Sequence, residues 1–353
     1  MNLEKKELDT LKFKIKDKFW ETPEACSLVF ENVAGNTLFY KPGQFITLIV
    51  PFEGKDYKRS YSLSSVAVKD KNPAITIKKL KDGNISTYLI ESLQIGDFIE
   101  AHYPAGMFVP ELHPTNAKQY FLLAAGSGIT PLFAILKSIL TKEPKSFVNL
   151  LFSSRDEGHI IYSKQVTHLE FEFPERLNVT HLLSNPSENW QGFRGRADQE
   201  LIQNLISELS LDIEKSFFLC GPQDYMEMAE IAIKTLGFAS ENIKKESFKS
   251  ESKPHSQMIK VPSNKHVKII YRKEVYEYEL EEDQTILDGA LDNNYRIPYN
   301  CASGVCTACL GKCIEGEVDM GDSDALSENE KKMGLVLTCI GKPISDRVVI
   351  QID

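Results

Sequence analysis

The chain has no excess of positive charge: 50 acidic residues outnumber 41 Lys and Arg, for a formal net charge of -9. Duplex nucleic acid is therefore a poor general partner, because phosphate binding needs clustered cations. The N-terminus, "MNLEKKELDTLKFKIKD", lacks the apolar core of a secretory signal, which points to a cytoplasmic chain with reduced thiols. Uninterrupted apolar runs are also lacking. The longest candidate, "YFLLAAGSGITPLFAILKSIL" from Tyr120, would be long enough to span a membrane, but Gly126, Ser127, Gly128, Thr130 and Pro131 break it into strand, turn and helix. There is no internal repeat and no low-complexity tract. At 353 residues the chain is longer than one core supports, so two or three domains are expected.

Three patterns follow one another. Residues 11 to about 108 alternate short β-type runs with turn residues ("LKFKIKD", "CSLVFE", "FITLIV", "RSYSLSS", "AITIKKL", "DFIEAHY"), the spacing of a small antiparallel barrel. One helix interrupts them, "NISTYLIESL", with Ile85, Leu89 and Leu93 at four-residue intervals. From Tyr120 to Phe248 buried strands ("YFLLAAG", "FVNLLFSS", "LNVTHLLS", "SFFLCG", "NIKKESF") alternate with helices such as "ITPLFAILKSIL", "ADQELIQNLISEL" and "PQDYMEMAEIAIKTLG", the pattern of a doubly wound parallel sheet. A polar, Pro-containing stretch around 249–264 reads as a linker. Beyond it, "HVKIIYRKEVYEYELEE" reads as a hairpin turning at Arg272-Lys273, and the short helix "QTILDGALDN" leads into a cysteine loop. The expected division is 1–112, 113–248, the linker 249–264, and 265–353.

Four of the seven cysteines crowd into "CASGVCTACLGKC", residues 301–313. Cys301, Cys306 and Cys309 form CxxxxCxxC, with Cys339 following 30 positions later, the spacing of plant-type 2Fe-2S ferredoxins. Soft thiolates suit iron–sulfur clusters, and Gly304 with its small neighbours suits a backbone that must approach the cluster sulfides. Cys313 is the rival fourth ligand. If "TACLGKCIEGEV" is a strand, Cys309 and Cys313 are about 13 Å apart, too far for one small cluster, and Cys313 is expected to be a buried small hydrophobe. Zinc or plain buried thiols compete with the cluster, although structural zinc usually shows two paired short spacings and here there is one CxxC.

"FLLAAGSGITP" runs a strand through a glycine turn into a helix, where free N–H groups and the positive dipole end can receive a pyrophosphate. Its order is GxGxxP rather than GxGxxG, and Pro131 fits a first helical turn. In "RSYSLSS", Tyr61 can offer a planar surface to an aromatic ring and Arg59 a phosphate donor; a half-buried strand with a surface Arg is the plainer alternative. "DGNIS", residues 82–86, can bring a second helix N-terminus to phosphate or be an ordinary cap. "FLCGP" puts Cys220 and Gly221 at the carboxyl end of a strand, where open α/β sheets bind ligands, though a core thiol is the commoner meaning.

In order, RxYS, GxxS, GxGxxP, CGP, ExF and CxxxxCxxC with a late Cys resemble the ferredoxin–NADP reductase-like flavoproteins. Over nearly the whole chain the order resembles that of oxygenase reductases such as the reductase of phenylacetyl-CoA epoxidase. The resemblance implies an antiparallel β-barrel FAD domain, an α/β nucleotide domain and an α+β, β-grasp ferredoxin domain. It further implies that Arg59 contacts the FAD pyrophosphate, Tyr61 stacks on the isoalloxazine, Ser62 sits near its N5, and Gly83 and Ser86 bind the diphosphate, with Asp82 where many relatives have glycine. "YPAGMF", residues 103–108, matches the family's flavin-side turn. Gly126, Gly128 and Thr130 would hold the nicotinamide nucleotide, Cys220 with Gly221 would lie beside the nicotinamide ring, and Glu246 and Phe248 would form the Glu-x-aromatic terminus over the flavin. Ser62, Cys220 and Glu246 are thus the expected catalytic residues. The cofactors implied are FAD, a 2Fe-2S cluster held by Cys301, Cys306, Cys309 and Cys339, and NADPH or NADH. Arg155, at the end of "FVNLLFSS", could receive a 2′-phosphate and favours NADPH. The expected activity converts a two-electron hydride donor into a one-electron supply for an oxygenase component, the cluster domain moving on its linker. A stand-alone reductase of flavodoxin, quinone or another acceptor, and a non-catalytic metal or redox module, are the alternatives. The acidic run 315–330 could dock a basic partner or be a solvated face.

Overall fold

The computed structural model describes residues 10–67, 69–81, 83–207, 213–248, 264–299, 302, 304, 307–321, 326 and 328–352. The chain divides into two compact units, one of them Thr10–Phe248 and the other taking in Lys249–Asp353. The described part of the second runs from 264 to 352. All but one residue of the expected 249–264 linker lies outside the described residues, as does Asp82.

The first unit opens with β1 (Leu11–Thr22), β2 (Ala25–Asn32), β3 (Phe45–Phe52), β4 (Lys55–Ser62), β5 (Ala74–Lys78), α1 (Asn84–Glu91) and β6 (Phe98–Ala101). Strict alternation explains the strands: Leu11, Phe13 and Ile15 of β1 point inward while the lysines between them are exposed. These strands make an antiparallel sheet in the order β4-β3-β6-β1-β2-β5. It closes on itself where β4 runs on to meet β5, through the Leu63–Ile75 bridge and the Ser64 N–H donated to Ala74 O at 2.9 Å. The six expected strands and the helix are all present, and Ile85, Leu89 and Leu93 are buried under the barrel end.

The remainder of this unit comprises β7 (Gln119–Ala125), α2 (Ile129–Lys142), β8 (Phe147–Ser154), α3 (Ser163–Glu172), β9 (Leu177–Leu183), β10 (Phe193–Arg194), α4 (Gln199–Ser207), β11 (Lys215–Cys220), α5 (Gln223–Thr235) and β12 (Ile243–Glu246). The strands form a parallel sheet ordered β10-β9-β8-β7-β11-β12. The chain winds outward from β7 through β8 and β9, then returns to the other side of β7, so a crevice opens at the carboxyl ends of β7 and β11. The apolar run from Tyr120 now has its explanation. Strand β7 is buried on both faces, and α2 buries Ile129 through Leu136 without a break, in a core that also takes in Ala25 and Phe108 of the barrel. Among the described residues no helix is long and apolar enough to cross a membrane. Helix α3 and strand β10 were not foreseen: α3 buries only Val166 and Leu169, too few to make an apolar stripe, and β10 is two residues long.

The second unit contains β13 (Lys265–Tyr271), β14 (Glu274–Leu280), α6 (Ile286–Asp292), β15 (Leu310–Glu315), β16 (Val318–Asp319), α7 (Glu328–Lys332), β17 (Leu335–Leu337), β18 (Lys342–Pro343) and β19 (Arg347–Ile352). Its five-stranded sheet has the order β14-β13-β19-β15-β17, with β13 and β19 parallel. The hairpin turns at Arg272 and Lys273 as expected, both left-handed at φ 50° and 70°, in a turn that usually selects Asn or Gly. Helix α6 starts with a reciprocal cap, in which the Thr285 hydroxyl accepts from Asp288 N–H while Asp288 accepts from Thr285 N–H. Such a cap stabilises a helix by about 1 kcal/mol and holds the segment leading into the cysteine loop.

Candidate functional site: a redox crevice and a thiol pair

The crevice of the first unit collects groups from strands far apart in sequence. Ser62 ends β4, Cys220 ends β11 and Glu246 ends β12. Cys220 and Glu246 are register partners in the parallel ladder, and the Ser62 hydroxyl donates to Glu246 Oε2 at 3.1 Å. Burial pushes the Glu246 carboxyl up to about 8, partly offset by that hydrogen bond, so at neutral pH it holds a proton. Burial, reinforced by Glu246, also raises the fully buried Cys220 thiol well above its ordinary value. Cys220 is thus a neutral thiol rather than a nucleophilic thiolate. The three expected catalytic residues stand together.

The glycine turn is built for close approach. Residues Gly126–Gly128 form a 3₁₀ turn before α2, with Gly126 left-handed at φ 56°. A Cβ on Gly128 would lie 2.0 Å from the Cys220 carbonyl oxygen, so only glycine lets the turn pack against the end of β11. Thr130 is buried and its hydroxyl donates to Ser127 O at 2.9 Å, fixing the turn from below. Gly221 is packed against the Ala125 and Tyr225 side chains. Ser154 Oγ, at the carboxyl end of β8, is buried with no hydrogen-bond partner among the described residues. Lys78 went unread in the sequence. Its Nζ lies 3.8 Å from the point that a Cβ on Gly126 would occupy, so an ammonium group of the barrel faces the turn. Only its place at the end of a strand bordering the crevice could have signalled it.

The flavin-side residues are less uniform. Burial raises the Tyr61 phenol to about 12, keeping it neutral, while Phe248 is 48% exposed. Arg59 is exposed; its Nη1 donates to Lys58 O at 2.8 Å and its guanidinium lies 5.6 Å from the Tyr57 ring centre. Gly83 caps α1 without a side chain, and a Cβ there would meet Ser86 Oγ at 2.7 Å. Ser86 itself is turned inward: its hydroxyl donates to Gly83 O at 3.1 Å and accepts from Leu80 N at 3.2 Å. The hydroxyl therefore shapes the turn, and the backbone N–H groups of the helix start remain the donors suited to a diphosphate. Arg155 follows β8, with Nη2 3.1 Å from Glu24 Oε1 and Nε 3.3 Å from Asp156 Oδ2.

In the second unit, Cys309 immediately precedes β15 and Cys339 follows β17, and their sulfurs are 3.2 Å apart in a buried setting. The Cys309 carbonyl accepts from both the N–H and the hydroxyl of Thr338, at 3.1 and 3.2 Å, which locks the two cysteine segments together. Gly304 is left-handed at φ 71°, and a Cβ on it would meet Ile340 Cδ1 at 2.6 Å. Two thiols converging in this way suit a shared iron–sulfur cluster. Cys301 and Cys306 lie outside the described residues. Cys313 sits on β15 with its thiol directed at the Glu315 and Gly316 carbonyls, 3.3 and 3.4 Å away. It is half-buried, not buried as expected, and sits where the pairing of β15 with β19 becomes irregular. In the acidic run, Glu315 lies 3.7 Å from Arg347; residues 322–325 and 327 are outside the described residues.

Three domain models match in the order expected: an oxidoreductase FAD-binding domain over 13–109, an oxidoreductase NAD-binding domain over 122–231 and a 2Fe-2S iron-sulfur cluster binding domain over 271–343. The chain is 30% identical to one of the subunits of the 1,2-phenylacetyl-CoA epoxidase of Escherichia coli (strain K12) over 318 residues, covering 89% of each chain. It is 32% identical to the ferredoxin reductase component of 3-ketosteroid-9-alpha-monooxygenase from Mycolicibacterium smegmatis (strain ATCC 700084 / mc(2)155) over 363 residues, covering 97% of each. The structure of phthalate dioxygenase reductase shares the fold, with a TM-score of 0.60, 22% identity and 98% of each chain covered. With the three domains in this order and relatives of 30% and 32% identity along most of its length, the chain belongs to the ferredoxin–NADP reductase-like oxidoreductases that carry FAD-, NAD- and C-terminal 2Fe-2S-binding domains.

Proposed function

We propose that this chain is the reductase component of a multicomponent oxygenase, taking hydride from NADPH and delivering single electrons to an oxygenase partner, with the phenylacetyl-CoA epoxidase type favoured. The observation that carries the reading is the Ser62–Glu246 contact beside Cys220, in a chain whose other unit pairs Cys309 with Cys339. When bound, FAD accepts a hydride and the 2Fe-2S cluster takes electrons singly, which is the chemistry the cofactors supply. The chain's own residues orient and insulate. The Gly126–Gly128 turn, Thr130 and Gly221 seat the nicotinamide nucleotide, and Lys78 neutralises its pyrophosphate. Arg59, Gly83 and the N-terminus of α1 hold the flavin diphosphate, with Ser86 shaping that turn. Tyr61 and Phe248 flank the flavin ring. Neutral Cys220 fills the floor beside the nicotinamide without adding charge, and the protonated Glu246, held in place by the Ser62 hydroxyl, can donate a hydrogen bond towards the reacting edge of the flavin.

Arg155 favours NADPH, because a guanidinium at the end of the second strand can pair with a 2′-phosphate. Cys301, Cys306, Cys309 and Cys339 ligate the cluster, a role that suits the reducing cytoplasm. The test is an anaerobic titration of the purified holoprotein with NADPH, followed by mixing with the co-expressed oxygenase component. Bleaching of both flavin and cluster absorption, then reoxidation by that component, is expected; a protein that bleaches but passes nothing to it would refute the partner assignment.

A further inference from the structure

The segment that carries Arg155 is tied to the barrel. Tyr162 OH and Thr76 Oγ1 share a 2.5 Å hydrogen bond, and Gln165 Nε2 donates to Glu21 Oε2 at 3.2 Å. Between these contacts and the carboxyl edge of β8 lies a charged cluster drawn from both lobes. Arg155 Nη2 meets Glu24 Oε1 at 3.1 Å and Arg155 Nε meets Asp156 Oδ2 at 3.3 Å. His159 Nδ1 is 2.6 Å from Asp156 Oδ1, and its Nε2 contacts Arg155 Nη2 and lies 3.8 Å from Glu24 Oε1.

Asp156 belongs to the same loop as Arg155, but Glu24 comes from the turn between β1 and β2 of the barrel. Its backbone is fixed there: Glu24 O accepts from Lys79 N–H at 2.7 Å, and Glu24 N–H donates to Thr22 Oγ1 at 3.3 Å. The carboxylate is therefore anchored within reach of the mouth of the nucleotide site, while its side chain stays free to swing.

We infer that Glu24, a residue of the flavin-binding lobe, sets coenzyme selectivity in the nucleotide lobe by competing with a 2′-phosphate for Arg155. This rests on the assignment of Arg155 to that phosphate. Two carboxylates, Glu24 and Asp156, face one guanidinium, so an incoming dianion must displace Glu24 and tolerate Asp156, whereas NADH meets no such competition. The Arg155 and Glu24 side chains are 51% and 38% exposed, so the pair is weak enough to exchange. The selectivity shift it imposes is correspondingly modest.

The test is calorimetric titration of the full-length holoprotein with 2′,5′-ADP and with 5′-AMP, which differ only in the phosphate. Glu24→Gln is expected to raise the affinity ratio of 2′,5′-ADP over 5′-AMP about threefold to fivefold. Arg155→Ala should erase the ratio, and the double variant should behave like Arg155→Ala alone. Glu24→Ser gives the same readout should Glu24→Gln fold poorly. An unchanged ratio in the Glu24 variants, with a collapsed ratio in Arg155→Ala, would overturn the role of Glu24 and leave Arg155 as the phosphate ligand. An unchanged ratio in Arg155→Ala would overturn both.

Discussion

In the first unit the groups that meet are scattered: Ser62 and Glu246 touch across 184 positions, and each is delivered by the end of a strand. In the second unit the meeting pair is 30 positions apart, one thiol entering a strand and the other leaving a short one. The crevice is made of backbone turns, small side chains and a proton-holding carboxyl, which together recognise shape and charge. The thiol pair, in its proposed role, would make bonds to metal. Losses should accordingly be graded in the first unit and all-or-none in the second, and substitutions can separate the two.

The largest effect is expected at the thiols. Cys339→Ala should reduce cluster absorption to background and stop electron delivery to a one-electron acceptor such as cytochrome c. Flavin reduction by NADPH should persist. Cys313→Ala, whose thiol faces the Glu315 and Gly316 carbonyls, should keep the cluster spectrum. Visible absorption of the two purified variants decides it, and cluster loss in Cys313→Ala would undo the ligand assignment. In the first unit the comparable break is Gly128→Ala, since a Cβ 2.0 Å from Cys220 O must push β11 away from the turn. A destabilisation of about 2–4 kcal/mol is expected, lowering that unit's melting temperature by about 5–15 °C. Calorimetry of the full chain should show this while the cluster absorption is retained.

Much of this could be read before the structure, and unevenly. The 2Fe-2S domain was legible because a cluster calls for one residue type at a fixed spacing, and the structure brings two of the cysteines so spaced, Cys309 and Cys339, together. The parallel sheet was legible because strands buried on both faces leave near-continuous apolar runs, as β7 does. The pairing of Ser62 with Glu246 was not legible from periodicity, since nothing local to either residue records a partner in another domain; only the ordered motifs of a resembled family brought them to attention. Helix α3 escaped because two buried residues make no stripe, and the inward turn of the Ser86 hydroxyl was not legible because sequence cannot tell whether a hydroxyl faces outward or its own turn. Lys78 and Glu24 escaped for a common reason: each belongs to the barrel but faces the nucleotide lobe.

A subtler division concerns pH. Glu246 holds its proton to about 8 in the folded chain, against an ordinary carboxylate value of 4.5. The native state therefore retains a proton that the unfolded state has released between those values. The stability contributed by this carboxyl is full below about 4.5 and is lost as pH rises through about 8. Catalysis should follow the same proton. Stopped-flow rates of flavin reduction by NADPH should fall above pH about 8 in the native protein, and Glu246→Gln should flatten that limb at a lower rate. Cluster absorption should show no such pH step, and an unaltered limb in Glu246→Gln would assign the titration to another group.

The smallest effect expected is at Lys78, and it tests whether the barrel contributes charge to the nucleotide site or only a surface. Its ammonium group stands at the open side of the Gly126 turn, where the absence of a side chain leaves room for a phosphate oxygen. Lys78 is half-buried, so its field is less screened than that of a fully exposed lysine, yet one cation among several backbone donors supplies only part of the binding. Lys78→Ala should raise the KM for NADPH about threefold to tenfold, matching a partly screened ionic contact of roughly 1 kcal/mol, and should change kcat little. Because the lost interaction is electrostatic, the native KM should rise with added salt more steeply than that of the variant. Equal salt slopes would mean that Lys78 packs against the turn without serving the pyrophosphate. The barrel's role in that site would then reduce to shape, and the contrast between the two units would become sharper still.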